Sequence, residues 1–286
     1  MSLLALTLVL SAAFLHATWN LLVKRVAGGP EFIWLFATLS SLIYAPIVAG
    51  VVIYERPHLG PIEWVFIIGS GVIHIGYFLI LQQGYRVGDL SLVYPLARGT
   101  GPTVATIGAV IIFGERPSPL GLAGAVLVIV SVFIITGGPS ALRQAGNHPA
   151  IFYGLLTGLF IASYTLWDKH AVSTLMIPPL LQDIGSSVIR AIALAPLAVR
   201  RPAVVGALWS KYRWETLGVA VLSPLAYMLV LTAMSFTPVS YVSPAREISI
   251  LIGTVMGARL LSEGEGKRRL IAAGMMVVGI GALALG

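Results

Sequence analysis

The sequence predicts an all-α polytopic membrane protein with ten transmembrane helices, arranged as two inverted five-helix repeats around a central cavity. Two observations carry that expectation. Hydrophobic residues make up 57% of the chain and charged residues only 10%, whereas soluble domains carry about 25% charged residues. The chain also matches itself at a fixed offset of 148 residues: Ala97-Arg98 recurs as Ala245-Arg246, Gly114-Glu115 aligns with Ser262-Glu263, and Trp19-Asn20 with Trp167-Asp168. The register does not slip between these pairs. Residues 1–138 and 149–286 therefore read as two copies of one unit, joined by a polar connector over 139–148. An internal repeat in so apolar a chain points to a transporter.

A helical span needs about 20 mainly apolar residues to cross roughly 30 Å of hydrocarbon. Ten stretches qualify, near residues 2–22, 32–53, 64–83, 90–113, 119–136, 150–167, 177–199, 217–236, 239–261 and 269–285. The first resembles a signal peptide in length, but it lacks a basic leader and a small-residue cleavage site, so it is read as a working span. The fifth and sixth are the shortest. The fourth and ninth carry Pro95, Pro102 and Pro244, which neighbouring helices can tolerate in lipid. Five spans per copy is an odd number, so the second copy must enter the bilayer from the opposite side. Cysteine is absent, which excludes disulfide and thiol chemistry.

The net charge of +7 invites a nucleic-acid reading, yet the basic residues lie singly or in short loop clusters, so no nucleic-acid partner is expected and the lipid bilayer is. Loops after odd-numbered spans hold eleven Lys and Arg, and loops after even-numbered spans hold three, Lys169 among them. By itself that count places both termini outside the cytoplasm.

Ionisable groups inside spans are costly and are functional candidates. Here they are Arg98, Asp183, Arg190, Arg246 and Glu247, with His16 and His74 as titratable neutrals. Arg98 and Arg246 occupy equivalent positions, each roughly 12 Å into its span at about 1.5 Å per residue. Each also neighbours a helix-breaking sequence, Tyr94-Pro95 and Gly99-Thr100-Gly101-Pro102 in one copy and Ser243-Pro244 in the other. Broken helices at corresponding positions are a common address for a transporter site. The alternative is that these arginines bond loose carbonyls and tie helices together. Glu247 stands where the first copy has Gly99, and reads equally as a substrate group or a charge partner. Asp183 and Arg190, two turns apart on one face, read as a structural pair. An aromatic set completes the candidates for substrate binding: Trp19 and Asn20 beside His16; Tyr77 and Phe78 beside His74; and Tyr94, Tyr164, Trp167 and Tyr227. Depth favours a cavity for His16, His74, Tyr77 and Tyr227, and the interfacial belt for Trp167, Tyr153 and Trp214.

The run Asp89-Leu-Ser-Leu-Val-Tyr-Pro-Leu-Ala-Arg98 to Phe113-Gly-Glu-Arg116, and its degenerate copy Pro238-Val-Ser-Tyr-Val-Ser-Pro-Ala-Arg246 to Leu261-Ser-Glu263, resemble the drug/metabolite transporter superfamily. The EamA-type branch matches best, over essentially the whole chain, and the aromatic set is similar to that of YddG-type amino-acid exporters. The resemblance implies a basket of inverted repeats in a bacterial inner (cytoplasmic) membrane, with both termini cytoplasmic, the reverse of the loop count. Fold alone does not choose a ligand.

No Walker-type phosphate loop is present, so a secondary carrier without cofactor or metal is expected, working as a monomer on a small-molecule substrate. A cavity holding Arg, Glu and aromatic rings suits neutral and aromatic amino acids, and alternating access is the expected mechanism. Gly99, Gly101, Pro102 and Pro244 are the expected hinges. Nucleotide-sugar or organophosphate carriage is the nearer rival, although no lysine lies in a predicted span. An intramembrane enzyme would need a constellation such as His-Glu-x-x-His, and a channel a continuous polar path; neither pattern is found. Of the arginine pair, Arg246 is expected to be the more structural and Arg98 to act more on transport.

Overall fold

The computed structural model describes residues 1–26, 28–87, 90–135, 148–258 and 266–286. Asp89, most of the connector and the Ser262-Glu263 turn lie outside the described residues. Every regular element described is helical: α1 Leu3–Val26, α2 Pro30–Glu55, α3 Pro61–Val87, α4 Leu90–Phe113, α5 Pro119–Ile135, α6 His148–Ser173, α7 Pro179–Val199, α8 Pro202–Phe236, α9 Val239–Ala245, α10 Ile248–Ala258 and α11 Gly266–Leu285. Among the described residues, seven of these helices are long and apolar enough to cross a membrane, and two shorter apolar ones lie over 119–134 and 271–285.

Proline sets many of the starts. Five helices begin on Pro30, Pro61, Pro119, Pro179 or Pro202, where its fixed φ suits the first turn and its missing N–H goes unused. The structure corrects three boundaries. Helix α6 does not stop at Trp167 but runs on to Ser173, carrying Asp168 and Lys169 within it. Lys169 is therefore a helix residue rather than a loop charge, and its Nζ donates to Met234 O at 2.6 Å and Thr237 O at 3.1 Å, satisfying carbonyls at the end of α8. Helix α8 starts at Pro202, fifteen residues before the expected span, and kinks at Tyr212 (φ −128°, ψ 30°). The expected ninth span is two short helices, interrupted at Arg246-Glu247 after Pro244.

The corresponding break in the first copy is not seen. Helix α4 is continuous through Gly99, Gly101 and Pro102. Its glycine instead permits close packing: a Cβ on Gly101 would fall 2.6 Å from Ile161 of α6, and a Cβ on Gly158 of α6 would fall 2.6 Å from Thr100. Small residues at such crossings bring helices together in lipid, where there is little hydrophobic drive between them.

Helix pairings repeat when the two copies are exchanged. Helix α4 packs on α6 as α9 and α10 do on α1, α1 packs on α8 as α6 does on α3, and α3 on α7 as α8 does on α2. The pairs α2·α7 and α5·α11 map onto themselves. A two-fold relation between repeats requires this set. Large apolar side chains face outward along the helices, with Leu42, Ile53, Ile111 and Ile192 each more than 60% exposed, as a lipid-facing surface demands.

Candidate functional site

One cavity lies between the repeats, lined from α1, α2, α3 and α4 on one side and α6, α7, α8 and the Arg246–Ser249 break on the other. Helical spacing explains how each element reaches it. His74, Tyr77 and Phe78 share one face of α3, and Asp183, Ser187 and Arg190 one face of α7, at separations of three, four and seven residues.

The rings form a continuous wall. His74 stacks on Tyr164 with centroids 4.3 Å apart, and meets Tyr227 edge-on at 5.6 Å. Tyr77 meets Tyr164 edge-on at 5.7 Å, and Trp19 meets His16 edge-on at 4.8 Å. His74 Nδ1 is 2.8 Å from Ser70 O; a carbonyl only accepts, so Nδ1 carries the proton there. Behind this wall, Asp168 is fully buried. It accepts from Tyr227 OH at 2.6 Å and Gln182 Nε2 at 2.8 Å, which fixes the phenol of Tyr227.

The three arginines differ. Arg98 Nε lies 2.9 Å from Glu247 Oε2, and its Nη2 donates to Ser249 Oγ at 3.1 Å. This is an ion contact with poor N–H alignment, since neither Arg98 Nε nor Glu247 Oε2 completes a hydrogen bond. It ties α4 of one repeat to the helix break of the other. Arg246, buried, has no ion-pair partner among the described residues; its guanidinium lies 5.9 Å from the Tyr227 ring centre, a cation–π distance. Arg190 sits 5.9 Å from the Phe78 ring centre and donates from Nη2 to Ser187 Oγ at 2.5 Å. Trp19 Nε1, Arg190 Nε and Asp183 Oδ2 are buried without a hydrogen-bond partner, and all three residues line the cavity. Buried polar groups are normally paired, so these atoms, with Arg98 Nε, mark the polar part of the cavity.

Nine of the fourteen expected binding residues line this cavity: His16, Trp19, His74, Tyr77, Phe78, Arg98, Tyr164, Tyr227 and Arg246. Five are placed elsewhere. Asn20 donates back to His16 O at 2.8 Å, and Tyr94 packs against the main apolar core. Trp167 stacks on Phe66 and donates to its carbonyl at 2.8 Å, while Ser243 is buried in α9 and Glu247 is held by Arg98. Among the described residues, Arg98 rather than Arg246 carries the acidic partner. Asp183 and Arg190 form no ion pair within 4.0 Å, although the helix aligns them, and both face the cavity. Asp168 lies just past the expected sixth span, which ends at residue 167; its equivalence to Asn20 is the sequence signal that points to it. Glu115 has a different part: its carboxylate accepts from Val239 N at 2.7 Å and Ser240 N at 2.9 Å, capping α9 of the other repeat.

Apolar helices in two exchangeable sets around a buried polar cavity define a multi-pass membrane transport protein. The EamA-like transporter family matches residues 3–137 and again 148–285, so the chain belongs to that family. A solved crystal structure superposes with a TM-score of 0.76, covering 98% of both chains at 17% identity, which shows the shared fold.

Proposed function

We propose that this protein is a secondary carrier exporting neutral and aromatic amino acids with broad selectivity across a bacterial inner membrane. It works as a monomer of ten spans in inverted repeats, by alternating access. The observation that carries the substrate reading is Arg246, buried and with no ion pair among the described residues, beside a wall formed by His74, Tyr77, Tyr164 and Tyr227. Such a guanidinium suits a carboxylate, and the rings suit an apolar or aromatic side chain. For the motion, the break between α9 and α10 at Pro244 supports bending in the second repeat. Gly101, packed on Ile161, supports rocking of α4 against α6 in the first.

Three arginines facing one cavity also suit a more anionic ligand, a nucleotide-sugar or an organophosphate, which is the second reading. Proteoliposome counterflow decides between them. Labelled phenylalanine and leucine are expected to exchange with saturation, and sugar nucleotides to compete weakly. Saturable exchange of sugar nucleotides with no amino-acid flux would overturn the proposal.

A further inference from the structure

Asp183 is a buried carboxylate with an unpartnered oxygen. It is 4% exposed and lines the cavity, and its Oδ2 has no hydrogen-bond partner among the described residues. Two nearby hydroxyls are committed elsewhere: Tyr44 OH bonds Val221 O, and Ser186 Oγ bonds the main-chain carbonyl of Asp183 itself. No cation lies within ion-pair distance, since the ion pairs among the described residues are Arg98–Glu247 and Arg201–Glu31. The other intramembrane acids contrast with it: Asp168 accepts from Tyr227 and Gln182, and Glu247 faces Arg98. Leaving an ionised carboxylate buried and unpaired is costly. The arrangement makes sense if the missing cation arrives with the ligand.

The partner for the other end of that ligand stands on the same helix. Arg190 lies two turns on, roughly 10 Å at about 1.5 Å per residue. Long helical side chains lean toward the helix N-terminus, and the bond from Arg190 Nη2 to Ser187 Oγ shows that Arg190 does so. Its head is thereby drawn toward Asp183, with Nε still unpartnered.

We propose that the Asp183–Ser187–Arg190 face of α7 is a zwitterion-reading subsite, with Asp183 accepting the substrate ammonium and Arg190 pairing with its carboxylate. This deepens the amino-acid reading above and rests on it. The consequence is specificity. A ligand with a cationic amine is accepted, while an analogue with an uncharged group in its place gives Asp183 no ion pair.

The test compares phenylalanine with 3-phenyllactate, which replaces the amine by a hydroxyl. In wild-type proteoliposomes, phenyllactate is expected to compete with labelled phenylalanine about 10- to 150-fold less well, the range of one buried charge-assisted bond. In Asp183→Asn that discrimination should collapse, with phenylalanine weakened and phenyllactate unchanged. Asp183→Glu, which keeps the charge, should preserve the preference for the amine. Phenyllactate competing as well as phenylalanine in wild type overturns the subsite without any variant being needed, as does Asp183→Asn that discriminates like wild type. Absence of phenylalanine exchange in wild type instead overturns the amino-acid reading and the subsite with it.

Discussion

Replacing Glu247 by glutamine removes one charge from a buried pair and leaves the other in place. The Arg98 and Glu247 side chains are 8% and 3% exposed, with Nε and Oε2 2.9 Å apart. At that separation, and with an effective dielectric of about 20, the Coulomb attraction is on the order of 6 kcal/mol. Most of that offsets the hydration both groups lost on burial. Deleting one partner is worse than deleting both, because the survivor keeps the burial cost without the attraction; such single deletions cost about 3–5 kcal/mol. Arg98 would retain only its bond to Ser249. Since a kcal/mol moves the melting temperature of a chain somewhat smaller than this by about 2–4 °C, Glu247→Gln is expected to lower it by on the order of 10 °C. Arg98→Gln should do much the same. The double variant Arg98→Gln/Glu247→Gln should recover much of the loss, because two neutral amides can pair. Thermal melting of ligand-free protein in detergent measures all three variants. A double variant whose destabilisation equals the sum of the singles would show that the pair is not coupled and refute this account.

Arg246→Gln should behave in the opposite way, because Arg246 has no ion pair among the described residues to lose: amino-acid binding weakens about 10- to 150-fold while the ligand-free melting temperature stays near wild type. A stability loss like that of Arg98→Gln would return Arg246 to a structural role. Glu115→Ala removes the acceptor for two N–H groups of α9 and should cost about 0.5–2 kcal/mol, the range of a lost helix cap, with Glu115→Gln milder; melting curves measure both. Gly158→Leu should sharply reduce folded yield, because a Cβ there would lie 2.6 Å from Thr100. Gly50→Leu, where a Cβ meets nothing within 4 Å, should not. Equal yields would mean that the α4–α6 crossing is looser than described.

Composition and the 148-residue offset were enough to establish a helical membrane protein in two copies, because hydrocarbon admits few backbone solutions and a repeat needs only self-comparison. They also direct Arg98 and Arg246 to one cavity, since equivalent positions in related repeats converge on the axis between them. Polarity along a single line of sequence could not decide which buried charges meet. Glu247 lies next to Arg246 in the chain, yet the break after Pro244 turns it to Arg98 of the other repeat. Asp183 and Arg190 share a helix face and still do not pair, because Ser187 takes the guanidinium and the cavity takes the carboxylate. Asp168 lies just past the expected sixth span, yet Tyr227 and Gln182, contributed by two other helices, satisfy it inside the bundle. Spacing along one helix determines which side chains share a face. Crossings between helices decide which of them are partners, and those distances exist only in the folded molecule.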